Sequence, residues 1–588
     1  MSSLEDLSTP RLILQILGRR DKLRLGLALV LILIGTLLEV ASLGIVIPVV
    51  QQLLSEDLRL SSPWLPAGLR STDNTSFVIL LMGLLVAVFL IKNLVLIVTN
   101  YIQLRIQVAL SNRISHQLFE QYLRQPYEFH LVHSSSILVR NVQEFSSAII
   151  ANGVNPLLVM VTEVVTGLGL IGVLLVVEPV GTISLLFLFA LTSLLVSIFF
   201  RSKIRRWGAE RIIHRGQVLE ALISGFGGIK EIKLFGRDQE TLDAHRDGLY
   251  RAQRSSTLLV VAQGIPRAVL EVTAVVCVGA LVVIATLRES DLQNTMLLIA
   301  LFAVAAFRML PSANRLIQSI QMISFGRAGI EGAVSGLSLP VVPASVHEDN
   351  LKVPFAVCRV TGLKYRYPNT ARFALDVEEL EIRARESIGV VGASGSGKST
   401  LIDILIGVLT PTEGTITVNG QRISENARFW QDRIGYVPQH VYLMDTTVRK
   451  NVAFGLPDGL IDTEEVERAL RLANLWEFVE SLPAGLETVV GERGVRMSGG
   501  QRQRLGIARA LYGHPEVIVL DEATSALDEA TELEIVESMR KVSRECTLIV
   551  VAHRLSTLAH CSRLIRLDDG RVVEDGSYHP VIEPKDIE

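Results

Sequence analysis

The sequence predicts two domains: an all-α membrane domain with six spans, followed by an α/β domain. Three observations support this fold class. Apolar residues are concentrated between residues 25 and 325, and they raise the mean hydropathy of the whole chain to +0.40. From residue 351 onward the sequence changes to short β-type runs and charged helices. A glycine-rich loop at 392–399 follows one of those runs, as in α/β folds that bind phosphate groups.

The length of 588 residues and the charge balance limit the class of protein. The composition shifts place the membrane domain at 1–325, a linker rich in Gly, Ser, Pro and Val at 326–350, and the α/β domain at 351–588. A formal net charge of −3 provides no basic excess for nucleic acid as a partner. The four cysteines are far apart and lack metal-ligand spacing, so we interpret them as reduced thiols.

Six segments are long and apolar enough to cross a bilayer, at about 25–52, 76–104, 147–177, 180–200, 257–287 and 293–322. Basic residues cluster before the first span and in the 201–255 connection, whereas the turn at 178–179 has none. The positive-inside rule therefore predicts a multi-pass membrane protein with both termini and the α/β domain in the cytoplasm. We expect the plasma (inner) membrane as its location. The external loop at 53–75 fits a short helix or a proline-broken loop equally well.

The two long internal connections, 105–146 and 201–256, are helical in pattern, and each is interrupted once. The interruptions lie at 125–129 and 224–228. Such breaks suit short helices that contact another domain. A solvated turn between two helices explains the same pattern.

Three cations lie inside apolar spans: Lys92, Arg267 and Arg308. An unpaired charge there costs about 3 kcal/mol or more, so it usually faces a cavity or a partner. One interpretation is a cationic belt that faces an anionic substrate. The alternatives are structural: Arg267 pairs with Glu271 one turn away, Lys92 snorkels, and Arg308 is neutralised by Glu39 or Glu163.

The glycine-rich loop follows the apolar run 387–391 and precedes a helical pattern at 401–409. This order places small residues where backbone N–H groups face a polyphosphate at a helix N-terminus. Lys398 is then expected to reach the β- and γ-phosphates, and Ser399 to ligand Mg²⁺. An incidental Gly/Ser-rich turn is the alternative. The predicted nucleotide contacts of this segment are Gly392, Ser394, Gly395, Gly397, Lys398, Ser399 and Thr400.

Further motifs follow over about 160 residues: Tyr436-Val-Pro-Gln439, Met497-Ser-Gly-Gly-Gln501, Asp521-Glu522 after an apolar strand, Ser525-Ala-Leu-Asp528, and His553. Acidic residues at a strand end suit Mg²⁺ binding by Asp521 and polarisation of attacking water by Glu522. Upstream, Tyr367 is either a base-stacking aromatic or an ordinary strand residue. Each motif alone has an unremarkable explanation, but their order is unlikely to be a coincidence.

These residues resemble the ATP-binding cassette exporters. In that family the cassette holds a phosphate loop, a Q-loop, an LSGGQ signature, a Walker B strand with its glutamate, a D-loop and a switch histidine. Here Met497 replaces the leucine of the signature, which is a conservative change. The resemblance implies a six-helix transmembrane domain of the exporter type, a P-loop nucleotide-binding domain, and transport coupled to hydrolysis, with ATP and Mg²⁺ as cofactors.

The resemblance also implies residue roles and a homodimer, since one cassette cannot complete a site. Lys398 and Ser399 of one copy and Ser498 and Gly500 of the other would enclose each ATP, and Tyr367 would stack on adenine. The breaks near Tyr127 and Phe226 would be coupling helices. The implied catalytic residues are Glu522, His553 and Gln439, the metal ligands are Ser399, Gln439 and Asp521, and Gln501 and Asp528 complete the nucleotide contacts.

Within the exporters, the membrane half resembles the lipid-linked oligosaccharide flippases of bacterial N-glycosylation. The matching residues are Lys92 and the stretches 265–271 and 307–315. The resemblance implies transfer of a polyprenyl-pyrophosphate-linked oligosaccharide from the inner to the outer leaflet, with Lys92, Arg267 and Arg308 at the pyrophosphate. Lys92 stands where arginine is expected and offers a point charge. The alternatives are export of other lipids or hydrophobic drugs, and a membrane ATPase that does not transport.

Overall fold

The structure, a computed structural model, describes residues 9–54, 74–177, 179–287, 292–340, 353–491, 494–522, 546–551, 558 and 561–577. The chain forms two compact units. The first contains residues up to Gln125 and from His133 to Val341, and the second contains residues from Val342 onward. The short segment Pro126–Val132 groups with the second unit, although its neighbours in sequence belong to the first.

The first unit is entirely helical in its described parts. Its helices are α1 (Thr9–Ile16), α2 (Arg19–Leu54), α3 (Asn74–Leu123), α5 (Ser135–Arg140), α6 (Ser146–Ile149), α7 (Asn155–Val177), α8 (Pro179–Gly227), α9 (Ile229–Phe235), α10 (Asp238–Leu287) and α11 (Leu292–Leu337). Helix α4 (Tyr127–Val132) belongs to the second unit. Within the described residues, four stretches have the length and apolarity of membrane spans: Leu85–Leu123, Ser135–Gly169, Leu186–Gly227 and Asp238–Val276.

The predicted fold class, a helical membrane domain followed by an α/β domain, is confirmed, whereas the number of six spans stays a prediction. Residues 55–73 of the predicted external loop lie outside the described residues. Helices α3, α8 and α10 continue well beyond the apolar segments that the sequence marks as spans. The polar residues beyond each apolar segment remain helical. Their backbone hydrogen bonds are made within the helix itself, so they do not need an apolar environment.

The start of the third predicted span differs from the expected continuous helix. Two π-helical segments, Asn141–Phe145 and Ile150–Val154, flank α6 before α7 begins. Residues 141–154 form the widened stretch, named for its wider π-helical turns. It packs against Gly326, Gly329 and Gly332 of α11, which we call the glycine ridge. A Cβ on Gly326 would lie 2.1 Å from the Asn152 Cβ, and one on Gly332 would lie 2.4 Å from the Phe145 ring. The two π-helical segments, which are a rare geometry, therefore lie where α11 packs closely against this part of the chain.

Helix α1 packs against this part of the bundle through Leu12 and Ile13, which are completely buried. The turn into α2 is held by an arginine of α3. Arg113 forms an ion pair with Asp21 at 2.6 Å and donates a hydrogen bond to the Ile16 carbonyl at 3.2 Å. The N-terminal helix is therefore fixed to the bundle by both apolar and charged contacts.

Short helices stand next to both predicted breaks. Helix α4 begins within the first break, and α9 follows the second and is capped by Gly236, which has a left-handed φ of 63°. Within the second unit, the Glu128 carboxylate of α4 accepts a hydrogen bond from the Thr410 backbone N–H at 3.0 Å. The role of α4 and α9 in coupling stays a prediction.

The described part of the second unit contains two sheets. Its strands are β1 (Val357–Tyr365), β2 (Leu375–Arg383), β3 (Ser387–Val391), β4 (Glu413–Val418), β5 (Gln421–Arg422), β6 (Ile434–Val437), β7 (Val517–Asp521), β8 (Thr547–Val551), β9 (Arg563–Asp568) and β10 (Arg571–Ser577). The antiparallel sheet has the order β2-β1-β4-β5, and the larger sheet has the order β10-β9-β3-β8-β7-β6. Strands β9, β3, β8, β7 and β6 are parallel neighbours, and β7 and β8 are buried throughout.

The helices of this unit are α12 (Lys398–Leu405), α13 (Arg428–Gln431), α14 (Val448–Val452), α15 (Thr463–Leu472), α16 (Trp476–Glu480) and α17 (Gly499–Leu511). Helix α12 contacts β7 and α17 contacts β6, whereas α14 and α15 pack against α17. The carboxyl ends of parallel strands meet at one edge of a sheet, which is where α/β folds bind their ligands. Strands β3, β6 and β7 end at this edge beside the phosphate loop, Gln439 and Asp521. The topology therefore gathers motifs that are widely separated in sequence.

Candidate nucleotide-binding site

The phosphate loop connects the end of β3 to the start of α12. Gly397, at the N-cap of α12, has a left-handed φ of 99°, which side-chain-bearing residues rarely adopt. A Cβ on Gly392 would lie 2.2 Å from the Leu567 carbonyl oxygen. Ser394 and Gly395 are exposed at the tip of the loop. The glycines thus allow a backbone path that leaves the tip accessible to a ligand.

Lys398 is folded over this loop. Its ammonium group donates hydrogen bonds to the Gly392 and Ala393 carbonyl oxygens at 2.7 and 2.9 Å. Burial lowers the pKa of Lys398, and the carboxylates of Glu522 and Asp521 partly offset that effect. The cation predicted to reach the phosphates is therefore already held at the loop, close to two acidic groups.

Strand β7 ends at Asp521, and Glu522 follows it directly, which brings the two acidic residues of the site together. Glu522 has a left-handed φ of 48°, and its carboxylate accepts a hydrogen bond from the Gln439 side-chain amide at 2.6 Å. Asp521 is only 8% exposed. Burial raises the pKa of Asp521, and Glu522 raises it further. The structure thus brings together Gln439, Asp521 and Glu522, as the sequence predicts.

The donor set around Asp521 fits Mg²⁺. The Asp521 carboxylate, the Ser399 hydroxyl and the Gln439 amide oxygen are hard ligands of the kind that this ion prefers. Burial makes the negative charge of Asp521 unfavourable, which is why its pKa is raised. A cation bound there would stabilise that charge. Among the described residues no group of three His, Cys, Asp or Glu side chains could hold a metal alone.

Tyr367 is tied to the phosphate-loop helix. Its hydroxyl is hydrogen-bonded to the Thr400 hydroxyl at 3.0 Å, and its ring contacts the edge of the Tyr365 ring with centroids 5.1 Å apart. Tyr365 is buried, whereas Tyr367 is only partly buried. Stacking of Tyr367 on adenine stays a prediction.

The signature motif forms the start of α17. Ser498 caps the helix: its hydroxyl accepts the Gln501 N–H at 3.2 Å, and its own N–H donates to the Gln501 side chain at 2.9 Å. Gly500 is in the first turn of this helix, and Met497 is buried in the core. Packing of Met497 explains why methionine is tolerated here, since the position needs an apolar side chain. Asp528 and His553 lie outside the described residues.

The structure describes the side chains of two of the three predicted membrane cations, and their local environments differ. Lys92 is buried, with its ammonium 5.0 Å from the Phe89 ring centroid. Arg267 forms the ion pair with Glu271, at 2.8 Å, that was one alternative from the sequence, and its side chain is 72% exposed. The side chain of Arg308 lies outside the described residues.

Sequence reasoning missed one partner in the membrane unit. Glu163 of α7, considered as a partner of Arg308, pairs with Arg315 of α11 through two contacts of 2.5 and 3.2 Å. The Glu163 side chain is 7% exposed and that of Arg315 is 52% exposed. The sequence shows only that Glu163 lies in one apolar span and that Arg315 lies near the end of another. It does not show that these two side chains pair across two helices.

Asp403 of α12 is a second group that the sequence did not single out. It is half-buried, and desolvation with the nearby Asp521 charge raises its pKa to about 6. Below pH about 3 the carboxyl is neutral in both folded and unfolded chains. Between about pH 4 and pH 6 the unfolded chain has lost this proton while the folded chain keeps it, so stability decreases across that range and stays at the lower value above it.

We therefore expect Asp403→Asn to stabilise the protein at pH 8 by about 1–2 kcal/mol, after allowance for solvent screening, and to have little effect near pH 3. The measurement is the thermal unfolding midpoint of the full chain in detergent across this pH range. Asp376→Asn is the control, because Asp376 pairs with Arg571 at 3.2 Å and its loss should not stabilise the protein. A pH-independent difference for Asp403→Asn would contradict the expectation.

Comparisons with known proteins agree with this architecture. Residues 25–309 match the ABC transporter transmembrane region, and residues 375–525 match the ABC transporter family. The chain is 30% identical to an ATP-dependent lipid A-core flippase of Cupriavidus metallidurans, covering 85% of this chain and 84% of that one. It is 31% identical to the protein of the same description in Chromohalobacter salexigens, covering 79% of each.

The solved structure of a bacterial Atm1-family ABC exporter with ATP bound has the same fold, with a TM-score of 0.77, 22% identity and 95% coverage of both chains. Fold, site and relatives define an ATP-hydrolysing membrane transporter with one transmembrane region and one nucleotide-binding domain. The chain belongs to the ABC transporter family. The resemblance drawn from its motifs is thereby confirmed.

Proposed function

We propose that the protein is a homodimeric, ATP-driven lipid flippase whose cargo is a polyprenyl-pyrophosphate-linked oligosaccharide or a similar lipid-linked glycan. The observation that carries the lipid part of this proposal is a groove of about 1490 Å³ in the helical unit, between α7, α8 and α11. Relatives described as lipid A-core flippases also support a lipid cargo.

The groove is apolar along most of its length and basic at one end. Its walls include Val164, Phe189 and Leu316, and the basic residues are Arg201, Arg205, Arg206 and Arg327. Two of these arginines are neutralised within their own helix, since Arg206 pairs with Glu210 at 2.8 Å and Arg327 pairs with Glu331 at 2.6 Å.

Arg201 and Arg205 are one helical turn apart on α8, and both side chains are exposed. In the described part of the chain neither has a carboxylate partner. An apolar wall that ends in two such guanidinium groups suits an amphiphile with an apolar tail and an anionic headgroup. This combination favours a lipid over a neutral hydrophobic drug.

The glycan-carrier part of the proposal depends on Lys92, Arg267 and Arg308. Their resemblance to the cationic residues of oligosaccharide flippases supports a pyrophosphate headgroup. Arg267 would exchange its exposed pair with Glu271 for the pyrophosphate, and Lys92 would add a point charge. The lipid tail could then remain in the bilayer during transfer from the inner to the outer leaflet.

The cassettes would power this transfer. ATP would be enclosed by Lys398 and Ser399 of one copy and by Ser498 and Gly500 of the other, and this closure would shift the membrane domain outward. Glu522 would polarise the attacking water, and hydrolysis would reset the cycle. Two solvent-exposed apolar side chains near the second break, Phe226 and Leu234, support docking of α9 on a partner surface.

The remaining predicted roles fit the same scheme. Mg²⁺ would neutralise phosphate charge, held by Ser399, Gln439 and Asp521. His553 and Asp528 would complete the site, and Gln501 would support the signature contact. The domain boundaries at 1–325, 326–350 and 351–588, with both termini and the cassette in the cytoplasm of an inner-membrane protein, belong to this proposal.

The test of the cargo is translocation in proteoliposomes with a fluorescent lipid-linked oligosaccharide and ATP. We expect Arg267→Ala combined with Arg308→Ala to lower the translocation rate at least about tenfold, because each removes a charge that faces the pyrophosphate. Arg246→Ala is the control, since Arg246 pairs with Asp243 at 2.9 Å and does not line the groove. Wild-type translocation by the double variant would reject the cationic belt.

A cargo panel separates the remaining functions. Lipid A-core type lipids are the specific alternative, because the relatives carry that description. Stimulation of ATP hydrolysis by unrelated hydrophobic drugs would favour a drug exporter. ATP hydrolysis without ATP-dependent movement of any tested lipid would favour a membrane ATPase that does not transport.

A further inference from the structure

A second cavity of the helical unit lies between α8 and α10. Its volume is about 620 Å³, which is within the usual range for sites that hold small ligands. Both helices belong to the same compact unit and pack against each other. We call this cavity the juxtamembrane pocket, and its walls include Lys203, Trp207, Glu210, His214, Arg251 and Arg254.

The juxtamembrane pocket begins where the apolar surface of the two helices ends. Phe199 of α8 is 61% exposed and lies four residues before Lys203, and Val260 of α10 is 65% exposed and lies six residues after Arg254. At 1.5 Å per residue, these separations are about 6 and 9 Å along the helices. Exposed apolar side chains at the end of a membrane span contact lipid tails, so the pocket lies at the level of lipid headgroups.

The charge of the pocket is positive. Lys203, Arg251 and Arg254 are exposed, and in the part of the chain that the structure describes none of the three pairs with a carboxylate. The Glu210 carboxylate is already engaged by Arg206 at 2.8 Å. Three cations around one cavity favour an anion with several acceptor oxygens, such as a phosphate group.

Aromatic side chains fix the pocket at the edge of the apolar surface. The Lys203 ammonium lies 4.2 Å from the Phe199 ring centroid, a cation–π distance that keeps this charge beside the apolar segment. Trp207 is partly buried and packs against the apolar cluster that contains Leu259 and Ala262. Tryptophan is enriched at the level of lipid headgroups, which agrees with this position.

The juxtamembrane pocket and the cargo groove lie on different faces of α8. Arg201 and Arg205 line the groove, whereas Lys203 and Trp207 line the pocket. Successive residues of an α-helix are rotated by about 100°, so residues 203 and 207 project nearly opposite to residues 201 and 205. Arg206 lies between the two faces and lines both cavities. A ligand of the pocket therefore does not have to enter the groove.

We propose that the juxtamembrane pocket binds the headgroup phosphate of an anionic phospholipid, at a site separate from the cargo groove. Lys203, Arg251 and Arg254 surround the phosphate, and the lipid tails lie on the exposed apolar surface at Phe199 and Val260. Basic pockets between membrane helices are typical sites for such headgroups. The site requires the membrane domain but no particular cargo, and only its assignment to the inner leaflet rests on the proposed orientation.

The test measures lipid binding to the full chain in a neutral detergent by native mass spectrometry, which resolves each bound lipid and yields its dissociation constant. One probe is dioctanoyl phosphatidylglycerol, whose headgroup is anionic. The other is dioctanoyl phosphatidylcholine, which carries the same phosphate but no net charge. Inorganic phosphate is added as a competitor, because it separates a lipid site from a site for a soluble anion.

The variants remove charges from either side of the pocket. Arg251→Gln combined with Arg254→Gln removes two arginines of α10, and Lys203→Gln removes the cation of α8. The matched control is Arg237→Gln combined with Arg246→Gln. It also removes two exposed arginines, but each of them already pairs with an acidic residue close in sequence and neither lines the pocket.

We expect the wild type to bind phosphatidylglycerol at least about tenfold more tightly than phosphatidylcholine, without displacement by inorganic phosphate. Each basic residue lost should weaken the attraction for an anionic lipid about fivefold. The dissociation constant for the first phosphatidylglycerol should therefore rise about thirtyfold in the variant without Arg251 and Arg254, and about fivefold in Lys203→Gln. The control variant should match the wild type.

Four results would overturn the inference. An unchanged dissociation constant in the variant without Arg251 and Arg254 would remove the site. An equal loss in the control variant would show only a general attraction of lipid to basic surface. Displacement of phosphatidylglycerol by millimolar phosphate would assign the pocket to a soluble anion. Loss of binding in Arg201→Gln combined with Arg205→Gln, with the pocket variants unaffected, would place the lipid in the cargo groove.

These outcomes are independent of the proposed cargo. Binding of phosphatidylglycerol in detergent involves neither ATP nor a lipid-linked glycan. A failure of glycan translocation in proteoliposomes would therefore leave the pocket in place, and a failure of the pocket would leave the cargo proposal unchanged.

Discussion

Glu522→Gln is expected to lower steady-state ATP hydrolysis by about 100- to 1000-fold while ATP still binds. A positioned general base contributes about 10²–10⁴ in rate, and an amide of the same shape cannot polarise water in that way. The phosphate loop and Lys398 are unchanged in this variant, so nucleotide binding should persist. Phosphate release at saturating ATP and equilibrium binding of ATP measure the two effects separately.

Glu487→Gln provides the control for this substitution. Glu487 is exposed on the cassette surface and pairs with Arg449 at 2.6 Å, away from the acidic end of β7. Exposed pairs contribute about 0–1 kcal/mol, so the control should hydrolyse ATP almost normally. Hydrolysis by Glu522→Gln above about a tenth of the wild-type rate would exclude Glu522 as the base, since a lost general base costs more.

Arg315→Leu is expected to destabilise the membrane unit by about 3–5 kcal/mol, because it leaves the Glu163 carboxylate buried without its partner. The effect should be asymmetric. Arg315 is half-exposed and can reach a polar environment when Glu163 is replaced, whereas Glu163 is almost completely buried. We therefore expect Glu163→Leu to be much milder than Arg315→Leu, with thermal unfolding of the full chain in detergent as the measurement.

A double-mutant cycle tests the origin of this effect. Replacing both residues by leucine should recover most of the stability lost in Arg315→Leu, since no buried charge then remains. Arg206→Leu is the matched control, because its partner Glu210 is more accessible and the pair lies within one helix. Equal stability of Arg315→Leu and the wild type would mean that the Glu163 charge is compensated in another way.

The sequence predicts the cassette well because its motifs are local. A strand, a glycine-rich loop and a helix are consecutive at 387–405, and the backbone needs of Gly392 and Gly397 follow from the loop itself. Asp521 and Glu522 are recognisable because they end a buried strand. Parallel sheet topology then brings these separate motifs to one edge without any further signal.

The membrane unit was predicted less completely because its informative contacts join distant residues. Apolar periodicity identifies which segments are helices, but it does not identify the partner of Glu163. The π-helical segments around α6 have no sequence signature, since they accompany packing against a different helix. The basic end of the groove was also missed, because Arg201 and Arg205 were interpreted only as charges that set the membrane orientation.

The glycine ridge of α11 has a consequence for comparing related sequences. Each of Gly326, Gly329 and Gly332 faces one side chain of the widened stretch, so the two surfaces can change only together. A relative with alanine at position 332 should carry a smaller residue at position 145, and one with a side chain at 326 should lack the bulk of Asn152. Paired substitutions at these positions would therefore be a covariation signal that identifies this helix contact from an alignment alone.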